Sequence, residues 1–291
     1  MPTTIAIAGI GSTLALLVAK SLLQRPDVYI RGTSRDITKL PDDLKSSSRV
    51  TLVQSGPYDT DTLRKVVHGS DAVVCCYFAS NEVMIDGQKL LIDLCEEEGI
   101  TRYIASDYTI DFRKLDPTDM DIKNFTLEVR DYLTTKSRVK GVHILNGFFI
   151  ETFLDYIGLW NPQAKEVRYW GSGNEKWDFI SYKTGADYVA AVTLDPNAFG
   201  FFKFRADHKS AMDIAEDVES VFGFRPALVC NGSLADLATQ LDGAGNINNV
   251  ISASIYFVLT GKLVLGEDLD NAKYPSVQPE SFSEVLRRHS K

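Results

Sequence analysis

One stretch near the N-terminus, residues 4–23, constrains the fold of this chain more than any other. Residues 4–8 are rich in β-forming side chains and lead directly into a glycine turn at residues 9–11. Apolar residues then recur at the spacing of one face of a helix; they are Leu14, Leu17, Val18 and Leu22. The pattern predicts a strand, a tight turn and a helix in immediate succession.

The turn between this strand and helix has the composition of an anion-binding loop. Gly9 and Gly11 allow the backbone to approach a ligand closely, and the first N–H groups of the helix face it with the positive end of the helix dipole. Ser12 and Thr13 stand where a helix N-cap or a phosphate donor would lie. In a strand–turn–helix context this predicts dinucleotide binding at these four residues. The alternative is an ordinary tight turn.

Length, composition and charge limit the class of protein. The chain has 291 residues, of which 44% are hydrophobic and 24% charged, and a net charge of −8. This composition is typical of a globular protein that folds as one large domain or as a domain with a smaller lobe. An acidic chain disfavours binding to nucleic acid and to anionic membranes. Since neither a leader-like segment nor an apolar run of membrane-spanning length is present, we expect a cytoplasmic protein.

The cysteines and histidines show no pattern of metal ligands. The four cysteines, at 75, 76, 95 and 230, and the four histidines, at 68, 143, 208 and 289, are scattered without metal-binding spacing. We therefore expect no metal, and buried free thiols in a reducing compartment. His143 lies inside a predicted strand, where a structural role is expected.

Strands and helices alternate over the first half of the chain. Strands are predicted at residues 28–34, 50–53, 71–76, 100–105 and 142–145, and one helix at residues 82–98. This order predicts an α/β fold with a doubly wound parallel sheet of Rossmann type. Because the alternation loosens later, we expect a dinucleotide-binding domain at residues 1–150. Residues 151–291 are then a smaller α/β substrate-binding lobe, packed as one body with the first.

The end of the second strand indicates which dinucleotide is bound. In this fold that position faces the adenosine ribose, where a cation suits a 2′-phosphate and a carboxylate suits a free hydroxyl. Arg35 ends the strand and Lys39 follows it, so NADP(H) is favoured over NAD. Asp36 is the feature that would fit NAD instead, and a solvated surface role for Arg35 is the structural alternative.

Other candidate cofactor residues follow the fourth and fifth strands. Ligands of open α/β sheets bind beyond the carboxyl ends of the strands. Tyr77 and Phe78 come directly after the fourth strand, and Ser106 comes after the fifth. We expect these three residues to line the cofactor site.

Several segments, taken in order, resemble a known family. They are residues 33–35 (TSR), Gln88, residues 97–108 (EEGITRYIASDY), residues 169–173 (YWGSG) and residues 186–196 (ADYVAAVTLDP). Together they resemble the NmrA-like, isoflavone-reductase-like branch of the atypical short-chain dehydrogenases, in its fungal form. The resemblance implies a Rossmann core with a small C-terminal lobe, NADPH, and reduction of aromatic natural products in secondary metabolism. It also admits a cofactor-binding redox sensor that regulates a partner protein.

The first turn departs from the family pattern Gly-x-x-Gly-x-x-Gly. This chain has Gly9, Gly11, Ser12 and Ala15 instead. Alanine should still permit close packing of helix on strand. We expect Ser12 to need a backbone conformation that glycine adopts more cheaply.

The proton donor of a reductase is not fixed by the sequence. Members of the family carry a lysine on the helix before the sixth strand; an ungapped match places Thr126 there, and Lys123 lies one turn earlier on nearly the same face. The Tyr-x-x-x-Lys pair of short-chain dehydrogenases is absent, because Phe112 follows Tyr108 at that spacing. We expect Lys123, or Tyr108 through a water, to deliver the proton, with Asp107 orienting a donor or a substrate hydroxyl. The alternatives are a solvated lysine and a turn-capping aspartate.

Aromatic residues after the sixth strand suggest the substrate. Phe148, Phe149, Trp160 and Trp177 suit a flat aromatic ligand, although core packing is the alternative for each. The favoured function is an NADPH-dependent reductase of a small aromatic or enone-containing metabolite. A regulator that binds NADP(H) and acts through a partner protein, and a non-redox isomerase or cyclase, remain open, as does a homodimer.

Overall fold

The computed structural model describes residues 2–116, 119, 120, 123–241 and 247–289. Two compact units share the chain. The first unit consists of Met1–Tyr108, Phe125–Ile144 and Gly185–Phe202. The second unit consists of Thr109–Asn124, Leu145–Thr184 and Lys203–Lys291.

The strands, in chain order, are β1 (Thr3–Ala8), β2 (Val28–Ser34), β3 (Val50–Gln54), β4 (Ala72–Cys75), β5 (Arg102–Ile104), β6 (Lys140–Leu145), β7 (Phe148–Phe149), β8 (Trp160–Asn161), β9 (Glu166–Tyr169), β10 (Trp177–Ile180), β11 (Gly200–Lys203), β12 (Asp207–Lys209) and β13 (Ala227–Cys230). The helices are α1 (Thr13–Leu22), α2 (Asp42–Lys45), α3 (Thr60–Val67), α4 (Gln88–Glu98), α5 (Asn124–Thr134), α6 (Ile150–Thr152), α7 (Tyr182–Leu194), α8 (Ala211–Phe222), α9 (Leu234–Ala238), α10 (Ile247–Leu259) and α11 (Phe282–His289). Short 3₁₀ turns occupy Ile37–Lys39, Phe112–Lys114, Thr239–Leu241 and Asn271–Lys273.

The central sheet has the strand order β11-β6-β5-β4-β1-β2-β3. The pairs β1–β2, β2–β3, β1–β4, β4–β5 and β5–β6 are all parallel. The chain therefore winds outward in one direction from β1 to β3 and in the other from β4 to β6, with the switch point between β1 and β4. This confirms the predicted Rossmann fold, and ligands of such sheets bind at the switch point.

Burial explains why β4 reads as a continuous apolar run. All four of its residues are buried, because helices cover both faces of a central parallel strand. On one face Val73 and Cys75 join a cluster with the apolar residues of α3 and α4. Tyr77, just beyond β4, packs its ring against the same cluster.

The helix predicted at residues 82–98 is not uniform. It begins with a π-helical turn at Val83–Gly87 and becomes α-helical at Gln88. The Gln88 side chain donates to the Met84 carbonyl at 2.8 Å, which gives that carbonyl a side-chain partner. A π-turn inserts one residue without changing the apolar pattern on either side, so the periodicity did not predict it.

The second unit contains two small sheets, β12-β10-β7 and β13-β9-β8. Neither β7 nor β13 was predicted, because β7 has two residues and β13 is an exposed edge without an alternating pattern. Cys230, at the end of β13, is exposed, whereas the other three cysteines are buried. The expectation that all four thiols are buried was therefore wrong for Cys230.

Candidate functional site

The glycine turn lies between the carboxyl ends of β2 and β4. Gly9 and Ile10 both donate main-chain hydrogen bonds to the Thr33 carbonyl. Gly9 has φ +77°, and a Cβ there would lie 2.8 Å from the Cys76 carbonyl oxygen. Gly11 has no positive φ, and its Cβ would meet the Ser34 hydroxyl at 3.1 Å and Leu40 at 3.6 Å. Glycine is therefore required at residue 9 on two counts.

Ser12 is the N-cap of α1 and adopts an ordinary conformation. Its φ of −75° and ψ of 153° are extended, and its hydroxyl accepts a hydrogen bond from the Ala15 amide at 3.2 Å. The expectation that Ser12 needs a glycine-like conformation was wrong, since the left-handed residue of this turn is Gly9. The first-turn N–H groups of α1, from Thr13 on, have no acceptor inside the helix, which suits a phosphate.

The charged residues after β2 are not equivalent. Asp36 caps the 3₁₀ turn that follows, accepting from both the amide and the hydroxyl of Thr38, and lies 3.4 Å from Lys39. The Thr38 hydroxyl, and then its amide, lower the pKa of Asp36. Arg35 is exposed, and within the described part of the chain it forms no hydrogen bond or ion pair. Asp36 is thus engaged in local structure, and Arg35 is the charge that a ligand could use.

The segments after β4 and β5 are tied to each other. Ser106 donates through its hydroxyl to the Tyr77 carbonyl at 2.8 Å, and its amide donates to the Gln88 side chain at 3.0 Å. Phe78 is 94% exposed. The Tyr77 ring instead packs inward, close to Gly9 and Gly87, and burial raises the pKa of its hydroxyl. Of the three residues predicted at this edge, Phe78 is the one whose ring is open to a ligand.

Asp107 pairs with His143, a contact that the sequence did not predict. The Asp107 carboxylate lies 2.5 Å from the imidazole Nδ1, and both side chains are buried. The imidazole stacks on Phe201, with ring centroids 4.6 Å apart. The other carboxylate oxygen of Asp107, Oδ1, is buried without a hydrogen-bond partner. The adjacency of β5 and β6 was the available signal, because it brings the residues near the ends of both strands together.

Tyr108 is buried and has an unusual backbone. Its φ is +39°, which is rare for a side chain with a ring at Cγ. Its hydroxyl donates to the Cys75 carbonyl at 2.9 Å, and burial holds the pKa of this hydroxyl well above its usual value. The hydroxyl is therefore neutral and engaged by the main chain, and its proposed catalytic role stays a prediction.

Lys123 directly precedes α5 and lies in the second unit. Its ammonium donates to the Thr109 hydroxyl at 2.9 Å, and the side chain is half-buried. Thr126, the ungapped family match, is fully buried within α5. The lysine that can present a charged group to a ligand is thus Lys123 rather than residue 126.

Asn146 follows β6 and is bound to the same threonine. Its main-chain N–H donates to the Thr109 main-chain carbonyl at 2.8 Å, and Thr109 also forms a parallel bridge with Leu145. The Asn146 side chain is fully buried, yet within the described part of the chain neither its Oδ1 nor its Nδ2 has a hydrogen-bond partner. Sequence reasoning missed this residue, because an unpaired amide cannot be recognised before its neighbours are known.

The four predicted substrate aromatics fall into two pairs. Trp160 and Trp177 are buried; Trp160 stacks on Phe222 and Trp177 packs against Phe153.

The other pair is half-buried. Phe148 meets the edge of Trp177, and Phe149 stacks on Tyr182 with centroids 4.1 Å apart and planes 6° apart. Tyr182, whose hydroxyl lies 3.1 Å from that of Thr152, was not predicted. Phe148, Phe149 and Tyr182 are the rings that a ligand can reach.

The described residues contain neither a metal-binding cluster nor a membrane-spanning helix. No group of three or more His, Cys, Asp or Glu side chains there is arranged to hold a metal ion. Nor does that part of the chain contain a helix both long and apolar enough to cross a membrane.

Several solved structures share this fold over almost the whole chain. AtPrR2 with NADP+ and (+)pinoresinol is 17% identical and covers 99% of each chain, with a TM-score of 0.83. Leucoanthocyanidin reductase with NADPH from Vitis vinifera is 17% identical, with a TM-score of 0.83, over 98% of this chain and 99% of that one. Isoflavone reductase is 17% identical over 99% of each chain, again with a TM-score of 0.83.

Sequence comparison gives a more limited result. No curated protein matches the chain. The model of the NAD(P)H-binding family, however, matches residues 9–196. This match covers more than half of the chain, from the glycine turn to the end of α7. The chain therefore belongs to the NAD(P)H-binding family.

Proposed function

We propose that this protein is an NADPH-dependent oxidoreductase that reduces a small aromatic or enone-containing metabolite. The observation that carries the choice of NADPH is the pair of residues at the end of β2, where Asp36 is engaged in a turn and Arg35 forms no hydrogen bond or ion pair with the described residues. A guanidinium at this position fits a 2′-phosphate. Similar structures that contain NADP+ or NADPH support the choice.

The residues of the first unit fit the cofactor. The turn at Gly9 has no room for a Cβ, and the first N–H groups of α1 follow it, which suits close approach of a pyrophosphate. We assign the pyrophosphate to Gly9, Gly11, Ser12 and Thr13. Arg35 and Lys39 take the 2′-phosphate, and Tyr77, Phe78 and Ser106 form the remaining wall, with Phe78 as the exposed ring.

The chain's own residues would supply proton transfer and substrate binding. Bound NADPH supplies the hydride, so the protein must orient the acceptor and deliver a proton. Lys123 is our first candidate for the donor, because its ammonium is half-buried and held by Thr109. Tyr108 is the second candidate. Asp107, fixed by His143, would orient a donor or a substrate hydroxyl.

We assign substrate binding to the aromatic residues that remain accessible. Phe148 and Phe149 would contact a flat ring, whereas Trp177 would support Phe148 from within the core, and Trp160 stacks on Phe222. We further propose that residues 1–150 serve the cofactor and residues 151–291 the substrate. Similar structures whose names give pinoresinol, leucoanthocyanidin and isoflavone as ligand or substrate support an aromatic substrate.

Cofactor binding is tested first, by titrating the purified protein with NADPH and with NADH in a calorimeter. We expect NADPH to bind at least about tenfold more tightly, since one charge-assisted contact contributes roughly 1.5–3 kcal/mol. Failure to bind either nucleotide, or a preference for NADH, would overturn the proposal. NADPH oxidation is then followed at 340 nm with chalcone and with 1,4-naphthoquinone. Binding without oxidation would favour the regulator, and product formed without NADPH consumption would favour the isomerase.

A further inference from the structure

We propose that the Asn146 carboxamide binds the oxygen of the substrate, beside the Lys123 ammonium. The proposal rests on the function proposed above and identifies a second polar group at the same site. It adds a residue to which no role was assigned by the sequence.

The first observation is the state of the Asn146 side chain. It is fully buried, and among the described residues neither Oδ1 nor Nδ2 has a hydrogen-bond partner. A buried amide without hydrogen bonds is costly, because it has lost its water and gained nothing in return. Unpaired buried groups are uncommon and occur at functional sites, where a ligand supplies the missing partner.

The second observation is where Asn146 lies. Thr109 accepts a hydrogen bond from Lys123 through its hydroxyl and from the Asn146 amide through its carbonyl. The Asn146 main chain and the Lys123 ammonium are therefore both hydrogen-bonded to Thr109. On this proposal, a substrate oxygen that receives a proton from Lys123 is also within reach of the Asn146 side chain.

The third observation concerns the chain after Asn146. Gly147 has φ +66°, and a Cβ there would lie 2.4 Å from the Asp178 carbonyl oxygen. A side chain is therefore excluded at residue 147, where the Asp178 main chain packs directly against the segment that carries Asn146. Solvent does not reach the side-chain carboxamide of Asn146, so a substrate must displace a neighbouring side chain to contact it. That displacement breaks no hydrogen bond of the carboxamide.

These observations indicate the chemistry of the ligand. A primary amide presents an NH2 donor group beside a carbonyl acceptor, so it pairs best with a carbonyl that has an adjacent hydroxyl, or with a phenol. Nδ2 would donate to the carbonyl oxygen that becomes negative after hydride transfer. A preorganised donor at such an oxygen stabilises the transition state more than the ground state. The nicotinamide carboxamide offers the same pairing and is the other source to be tested.

The test is the variant Asn146→Leu, which keeps the number and branching of the side-chain heavy atoms and removes both polar atoms. Its melting temperature without ligand should equal or exceed that of the wild type, because an unpaired amide is lost. Its kcat/KM for chalcone and 1,4-naphthoquinone should fall at least tenfold, mainly in kcat. The Kd values for NADPH and for 2′,5′-ADP, which lacks nicotinamide, should both stay unchanged.

A matched control is Asn161→Leu in β8, whose side chain accepts from the Ala164 amide at 3.0 Å. This variant should lower the melting temperature and leave kcat/KM unaltered. Opposite signs for stability and activity in Asn146→Leu separate a ligand-binding role from a structural one.

The contrary outcomes are distinct. A lower melting temperature for Asn146→Leu without ligand, or an unchanged kcat/KM, overturns the assignment. A tenfold rise in Kd for NADPH with no change for 2′,5′-ADP overturns the substrate assignment in favour of the nicotinamide. A wild-type protein that neither binds NADPH nor oxidises it with either acceptor overturns the proposed function and this assignment together.

Discussion

The Tyr108 hydroxyl donates a hydrogen bond to the main-chain carbonyl of Cys75 at 2.9 Å, while the Tyr108 backbone holds a φ of +39°. Cys75 ends β4, and Tyr108 follows β5, its neighbour in the sheet. The bond therefore fixes the segment after β5 to the adjacent strand. Positive φ in a residue other than glycine costs free energy, and such strain is concentrated at functional sites.

We predict that Tyr108→Phe reduces stability more than activity. The lost hydrogen bond should lower the free energy of unfolding by about 1 kcal/mol. Because the hydroxyl already donates to a carbonyl, we expect kcat to fall no more than about threefold, against the hundredfold or greater loss typical of removing a proton donor. Urea unfolding and steady-state kinetics measure the two effects. A hundredfold loss of kcat at unchanged stability would make Tyr108 the donor.

Thr109 should position the Lys123 ammonium. Thr109→Val keeps the side-chain shape and removes the acceptor of the 2.9 Å bond, so we expect kcat to fall about tenfold, equivalent to roughly 1.4 kcal/mol. Thr109→Ser, which retains the hydroxyl, should keep most of the wild-type kcat. Lys123→Met should lower kcat by about a hundredfold or more.

The exposed Lys20→Met serves as the control for the loss of a lysine. It should have no effect on kcat. Equal kinetics for the valine and serine variants of Thr109 would show that the hydroxyl does not position Lys123.

Local patterns predicted the fold and indicated candidate residues for the site. The strand, turn and helix at residues 3–22 follow from apolar spacing and from glycine, both of which act within a few residues. The strand at Val28–Ser34 was predicted with its observed bounds. Arg35 could be chosen as a candidate for the 2′-phosphate because this choice depends only on its position at the end of the second strand.

Contacts that join distant segments could not be predicted in the same way. Three such contacts depend on how strands and loops align: Asp107 with His143, Lys123 with Thr109, and Phe149 with Tyr182. The conformation of Ser12 was predicted wrongly for a related reason. The family pattern specifies where glycines stand, but only the structure shows that the left-handed residue is Gly9.

Arg35 should determine the preference for NADPH. We predict that Arg35→Ala raises the Kd for NADPH at least about tenfold and leaves that for NADH nearly unchanged, because only NADPH carries the 2′-phosphate. Calorimetric titration at two salt concentrations measures both effects, since screening weakens such a contact. Arg25→Ala removes another exposed arginine and should change neither affinity. A parallel loss for NADPH and NADH would assign Arg35 a structural role.

Glu96 should make stability depend on acid pH. Its carboxylate accepts hydrogen bonds from the Ser137 hydroxyl and from the amides of residues 137–139. The Ser137 hydroxyl, followed by the Val139 amide, lowers the pKa of Glu96 to about 2.

Because the pKa of Glu96 is lower in the folded state than in the unfolded state, where it is near 4.5, the ionised carboxylate stabilises the fold at pH values above 4.5. This stabilisation is lost as the pH falls towards 2. We predict that Glu96→Gln lowers the melting temperature at pH 6 and flattens its decline between pH 5 and pH 2. The exposed Glu82→Gln is the control and should leave that slope unchanged. An unaltered slope in Glu96→Gln would show that these hydrogen bonds do not stabilise the fold.

The two glycines of the first turn should differ sharply when each is replaced by alanine. Gly9→Ala places a Cβ 2.8 Å from the Cys76 carbonyl at φ +77°, so we expect a loss of roughly 1–3 kcal/mol in the free energy of unfolding. NADPH binding should fall at least about tenfold in addition, because the loop must move away from the phosphate site.

Gly11→Ala brings a Cβ within 3.1 Å of the Ser34 hydroxyl and 3.6 Å of Leu40 and has no conformational penalty, so we expect a change in the free energy of unfolding within about 1 kcal/mol. Denaturant unfolding and calorimetric titration of both variants measure the difference. Stable folding and normal NADPH affinity in Gly9→Ala would show that the left-handed turn is not what shapes the cofactor site. Both variants add the same methyl group to the same loop. The contrast between them therefore reports the conformation at residue 9 rather than the loss of glycine as such.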